Sequence, residues 1–141
     1  MPIEIHSTSS AFLYRADTAN TLAEALQEAV ANGADLTGAA LEAASLAGAN
    51  LASASLAKAD LRGADLTGAT LTDAYLAHAD LTGAFLSSAS LAGANLSHVS
   101  AHKADFSGAN LTGAVLTDAN LRRADMTGAT LTDANMTGAQ R

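Results

Sequence analysis

The sequence predicts an all-β solenoid. Two observations carry that expectation: an unbroken five-residue period from Ala34 to Gly138, and glycines recurring at one fixed place within it. Counting in fives from Leu36 to Met136 gives 21 positions, of which 17 are Leu, two are Met (Met126 and Met136), one is Phe106 and one is Ala101. Two residues before each stands Ala in 20 of the 21, Val99 being the exception. This period fits neither regular element. On a helix, steps of five advance about 140° and scatter the leucines round the whole surface. On a continuous strand an odd period sends successive leucines to opposite faces. Three extended residues and a two-residue corner do satisfy it. Ala34 and Leu36 then point in, Asp35 points out, and Thr37-Gly38 turn the chain. Ten of the eleven glycines stand at that second corner position, where a tight bend leaves little room for a side chain. A chain bending the same way every five residues winds into a solenoid, with leucine filling the axis and alanine where the wall comes closest.

These Ala-(Asp/Asn)-Leu-x-x phrases resemble the pentapeptide-repeat proteins, and the match covers Ala34–Gly138, about three quarters of the chain. The resemblance implies a right-handed quadrilateral β-helix with four phrases, or twenty residues, to a coil. The 21 phrases would make about five coils. Stacked at about 4.8 Å, they would form a square rod about 25 Å tall.

Residues 1–33 read as an N-terminal cap and residues 34–141 as the repeat domain. Ile3-Glu4-Ile5 and Ala11–Arg15 carry strand formers on either side of a His-Ser-Thr-Ser-Ser loop, which suits a short hairpin. A helix of about residues 18–32 follows. Thr21 and Glu24 fit a capping box, and Leu22, Ala25, Leu26, Ala29 and Val30 share one helical face. Gly33 stands where a C-terminal stop belongs. The bare first coil of a solenoid exposes backbone edges and leucines, so a hairpin and an amphipathic helix make a suitable lid. The other reading of this segment is a separate docking module. At the far end the Met-Thr-Gly-Ala-Gln phrase precedes Arg141 without a comparable helix. An open edge invites pairing, so a homodimer through the C-terminal coils is expected.

Composition bounds the rest. A formal charge of −7 disfavours nonspecific nucleic-acid binding, and the absence of cysteine removes disulfides and thiolate metal sites. No run of 18 apolar residues exists, so no membrane span is expected. The start, Met-Pro-Ile-Glu-Ile-His, lacks the basic and apolar regions of a signal peptide. A cytoplasmic protein is expected.

With twenty residues to a coil, residues twenty apart stack into columns. One corner column reads Gly38, Lys58, His78, His98, Asp118, Gly138, and the next face carries Glu42, Arg62, Thr82, His102, Arg122, with Lys103 and Arg123 beside them. The candidate interaction patch is therefore Arg62, His102, Lys103, Arg122 and Arg123. Asp65, Asp105 and Asp125 form an acidic column that Phe85 interrupts. At Val99-Ser100-Ala101 the usual Ala and Leu are replaced by Val and Ala, which roughly conserves core volume. Phe106, Met126 and Met136 read as core filling.

Catalytic chemistry finds little support. His78 and His98 with Asp118 are the nearest approach to a metal constellation, but on an exposed corner they read as solvated surface groups. No nucleophile elbow, triad context or phosphate-cradling loop is present. We therefore expect no catalytic, cofactor-binding or metal-binding residue and no enzyme. The expected function is a rigid scaffold for an unidentified protein partner, with no direct nucleic-acid or membrane binding. The resemblance implies an alternative, since the family includes members that occupy the DNA-binding saddle of DNA gyrase with a DNA-like acidic surface. Asp65, Asp105 and Asp125 would carry that role, and Arg62, Lys103, Arg122 and Arg123 work against it. A remote third reading takes Thr70, Thr72, Thr112, Thr130 and Thr132 as an ice-binding array, interrupted by Ala52, Ser90 and Ala92.

Overall fold

The computed structural model describes residues 1–141. From Asp35 onward the chain bridges to itself in parallel at a constant offset of twenty: Asp35 with Ser55, Ala40 with Asp60, Ser45 with Asp65, and so on to Asn120 with Gln140. The bonds alternate in direction. Leu36 N–H donates to Ser55 O (3.0 Å) and Gly38 N–H to Ala57 O (2.8 Å), while Asp60 N–H returns to Ala39 O (2.9 Å). Each twenty-residue circuit contains four pentapeptides and one bridge in each, so the path has four sides and lies back over itself.

The corners explain the period. Ala39 N–H donates to Leu36 O at 3.0 Å, and the equivalent bond closes all 21 corners. The third residue of each four-residue turn has φ between 53° and 73°. One positive φ at that place, with the closing bond, defines a type II turn. Glycine spacing marks only ten of these corners. The other eleven hold side chains in the same left-handed conformation, among them Ala43, Lys58, His78, Lys103 and Arg123. Each bears about 1 kcal/mol or more of backbone strain. Ala43 is exposed, so Ala43→Gly should raise stability by about 1 kcal/mol, read as a higher urea midpoint. Gly93 has a second reason to be glycine: the Asp73 carboxylate of the preceding coil occupies the space a Cβ would need.

The interior is a single apolar column. Leu36 through Leu121 at the centre of each side are at most 3% exposed, and the core contains no buried polar or charged side chain. Ala101, Val99 and Phe106 are all buried in one coil. Met126, Leu131 and Met136 pack against this core but are only partly buried, since no coil covers them.

Before the repeats, β1 (Ile3–His6) pairs antiparallel with β2 (Phe12–Ala16), with Ile5 opposite Tyr14. Helix α1 spans Leu22–Ala31, beginning at the first residue of the apolar face, four residues inside the expected 18–32 span. Thr21 is still extended (φ −130°, ψ 160°), and its side chain accepts from Glu24 N–H at 3.1 Å. The reciprocal bond from Glu24 falls on Asn20 N–H (2.7 Å) rather than on Thr21. At the other end Gly33 (φ 68°) donates to Val30 O and Ala34 to Ala29 O, the paired bonds of a Schellman stop. The segment meets the first coil through hydrogen bonds. Ala40 N–H donates to His6 O (2.8 Å) and Asn50 N–H to Gln27 Oε1 (2.7 Å). In later coils the same positions donate to the coil before, as Asp60 does to Ala39.

Candidate functional site

The position before each central Leu decides how charge is displayed. It holds Asp or Asn in eleven phrases. In every one, the side-chain Oδ1 accepts the backbone N–H two residues later: Asp65 from Thr67 (3.0 Å), Asp105 from Ser107 (2.8 Å), Asn110 from Thr112 (3.0 Å), Asp125 from Thr127 (2.9 Å). This is an Asx turn that clamps the corner. The recurrent Asp/Asn thus has a structural role, an added clamp on corners that close without it elsewhere, which the sequence pattern displays without revealing its cause. Asp and Asn make the same bond, so only the charge differs between them.

These clamps set an acid response. Hydrogen bonds from the hydroxyl and backbone N–H of Thr37, Thr67 and Thr127 hold Asp35, Asp65 and Asp125 below the usual carboxylate value, and the Arg62 side chain does so for Asp60. A depressed carboxylate contributes stability that is full above its ordinary pKa of 3.8 and is lost as pH falls through its lower folded value. Melting temperature should therefore stay flat down to about pH 4.5 and fall below about pH 4. Replacing Asp65 and Asp125 with Asn should flatten part of that decline, as seen in thermal melts from pH 2 to 7.

Of the five candidate basic residues, the structure separates Arg62 from the rest. Arg62 forks onto Asp60 (Nε to Oδ1 2.8 Å, Nη2 to Oδ2 2.7 Å) and reaches Glu42 across one coil (3.2 Å). Bonding to Asp60 holds its guanidinium above the ordinary pKa. Arg62 is engaged internally. His102, Lys103, Arg122 and Arg123 sit together at the other end of the same corner, and none lies within 4.0 Å of a carboxylate. Lys103 and Arg123 are exposed successive members of one corner column, at φ 58° and 61°.

The acidic candidates lie on the adjoining wall. Asp65 bridges to Phe85, Phe85 to Asp105, and Asp105 to Asp125. Phe85 is about half exposed, so an aromatic ring breaks the run of carboxylates. On the opposite edge of the basic wall, the His78 and His98 rings stack at 4.8 Å and 6°, with Asp118 Oδ2 3.9 Å from His98 Nδ1. Their separation is the strand spacing itself. Parallel rings do not converge their nitrogens on one point, and the structure contains no group of three or more metal-ligating side chains. The one concavity is a groove of about 400 Å³ between α1 and the first coil, lined by Gln27, Val30, Ala31, Asn50 and Ala52, none of them ionisable.

The geometry so far describes a repeat protein whose interior is filled and whose chemistry is confined to its walls. The family model for pentapeptide repeats matches residues 34–73, 69–108 and 104–140. The chain belongs to the pentapeptide-repeat family, whose fold is a right-handed quadrilateral β-helix. Among solved structures, it is similar to HetL, a pentapeptide repeat protein involved in heterocyst differentiation regulation in the cyanobacterium Nostoc sp. strain PCC 7120. Identity is 42% over 74% of this chain and 56% of HetL, with a TM-score of 0.54. It is also similar to a pentapeptide repeat protein of the Arabidopsis thaliana thylakoid lumen. Identity there is 34% over 71% of this chain and 66% of that one, with a TM-score of 0.59. The chain thus spans less than two thirds of either protein. A comparison with curated protein sequences returns no match.

Proposed function

We propose that this protein is a non-enzymatic interaction scaffold: a rod of about five coils over residues 34–141, lidded at residues 1–33 by the hairpin and α1. The carrying observation is the solid interior. An apolar column without a buried polar side chain leaves no internal pocket for substrate, and the groove beside α1 offers no ionisable side chain. What remains available is rigid wall. The hydrogen bonds that His6 O and Gln27 Oε1 accept from the Ala40 and Asn50 N–H groups support the lid assignment. A homodimer through the C-terminal coils is part of the same proposal. The interaction patch narrows to His102, Lys103, Arg122 and Arg123, with Arg62 set aside by its own ion pairs. Cross-linking of the purified protein in an extract, followed by mass spectrometry, tests the scaffold reading. Stoichiometric cross-links from the walls to a discrete protein are expected. Turnover of a small molecule by the purified chain would sink it.

The Asp105–Asp125 ladder favours a second reading, an acidic surface that imitates duplex DNA for gyrase. A supercoiling assay decides it. Inhibition by the protein, lost in an Asp65→Asn, Asp105→Asn, Asp125→Asn variant, would favour mimicry. Those substitutions keep the Asx bond, as Asn110 and Asn135 show at 3.0 and 3.1 Å. Unimpaired supercoiling would dismiss it.

A further inference from the structure

We propose that Arg122, with His102, Lys103 and Arg123, receives the carboxylates of an acidic peptide segment. This rests on the scaffold reading and names the partner's chemistry. The rod contains its own reference site. Arg62 and Arg122 occupy the same column. Around Arg62, the position two residues earlier holds Asp60 and the position one coil earlier holds Glu42, and both bind its guanidinium. Around Arg122 those two places hold Asn120 and His102. The backbone is unchanged by the exchange. Asn120 Oδ1 accepts Arg122 N–H at 3.2 Å, as Asp60 Oδ1 accepts Arg62 N–H at 3.3 Å. Arg122 thus keeps the setting of a carboxylate-binding fork and lacks its carboxylates.

The surroundings sharpen the vacancy. Lys103 N–H donates to Arg122 O at 3.0 Å, which ties the two coils at this corner. Like charges in neighbouring strands repel, and here no carboxylate lies within 4.0 Å to relieve them. An external carboxylate would do so, and the planar guanidinium fork suits it in two-point contact. The borders limit what can bind. Asp105 and Asp125 follow Lys103 and Arg123 by two residues, and Asp118 stands on the preceding corner. A duplex or an anionic membrane would spread its phosphates over these acids. A short peptide can keep its few carboxylates within the basic strip.

The test is fluorescence anisotropy of labelled hexaglutamate titrated with the full chain in about 0.1 M salt, where charges beyond about 10 Å are screened. Saturable binding that vanishes at about 1 M salt is expected. Asn120→Asp restores the internal partner and should weaken binding about fivefold or more, although every cation remains. Asn110→Asp changes net charge equally on another wall and clamps Thr112 in the same way. It should change binding by less than about twofold. Circular dichroism melts of both variants separate lost binding from lost fold, and Arg122→Gln provides a second route to the same loss. Absence of hexaglutamate binding, equal losses in the two Asn variants, or tighter binding of a short DNA duplex or phosphatidylserine vesicles would overturn the proposal. If Asn120→Asp and Arg122→Gln proteins still cross-link to the wild-type partner in extract, this patch fails while the scaffold reading stands.

Discussion

Leu66→Asp is expected to unfold the middle of the rod. Leu66 is fully buried, its N–H bonds Phe85 O at 2.7 Å, and its carbonyl closes the corner to Ala69 at 2.9 Å. The substituted carboxylate would enter an interior with no polar side chain to receive it. Burying an unpaired charge costs several kcal/mol, a large share of the about 5–15 kcal/mol that holds a domain folded. The topology concentrates this damage. Each coil rests only on its neighbours, so a failed coil severs those on either side. Limited proteolysis should cut near residue 66, and the circular dichroism melt should lose its cooperative transition. Leu86→Asp should behave alike. Ala47→Asp, on an exposed corner of the preceding coil, should leave the melt nearly unchanged. An equally stable Leu66→Asp protein would contradict the core assignment.

The readable parts of this molecule are those its repetition states many times. The Leu and Ala columns are legible because every phrase repeats the same inward demand, so single exceptions do not hide it. Corner glycines are legible only in part. Lys103 and Arg123 adopt the same left-handed turn as Gly63 and Gly83, because closure of the coil overrides local preference. The Asp/Asn position is visible as a pattern, but its cause is a bond between a side chain and an amide two residues on, as from Asp65 to Thr67. Composition alone shows only its charge. The pairing of Arg62 is legible only in part. Its column neighbours follow from the period, but the reach of its long side chain back to Asp60 and across a coil to Glu42 does not. Helix α1 starts at Leu22 because Thr21 is extended to cap it, a start that the capping box and the first apolar residue mark and the wider 18–32 span overran.

Phe106→Ala is expected to cost about 3–5 kcal/mol, the usual penalty for emptying a buried phenyl site. Phe106 is fully buried and heads the largest buried side chains. Its coil is also the one in which Val99 and Ala101 replace Ala and Leu, and both are buried too. Exchanging that pair removes one carbon from the axis, and a phenyl in place of leucine adds more than was lost. If the ring occupies the space Ala101 leaves, the two sites are coupled. Ala101→Leu alone should then overpack the coil, at about 1–3 kcal/mol, and Phe106→Leu alone should leave a void. Together they restore leucine at both axial positions, with Val99 the one remaining departure, so the double variant should be more stable than the sum of its parts by about 0.5–3 kcal/mol. Urea unfolding of the four proteins measures this directly. Strict additivity would mean that Phe106 fills a space of its own, and that the Val99–Ala101 exchange is compensated within its own side of the coil.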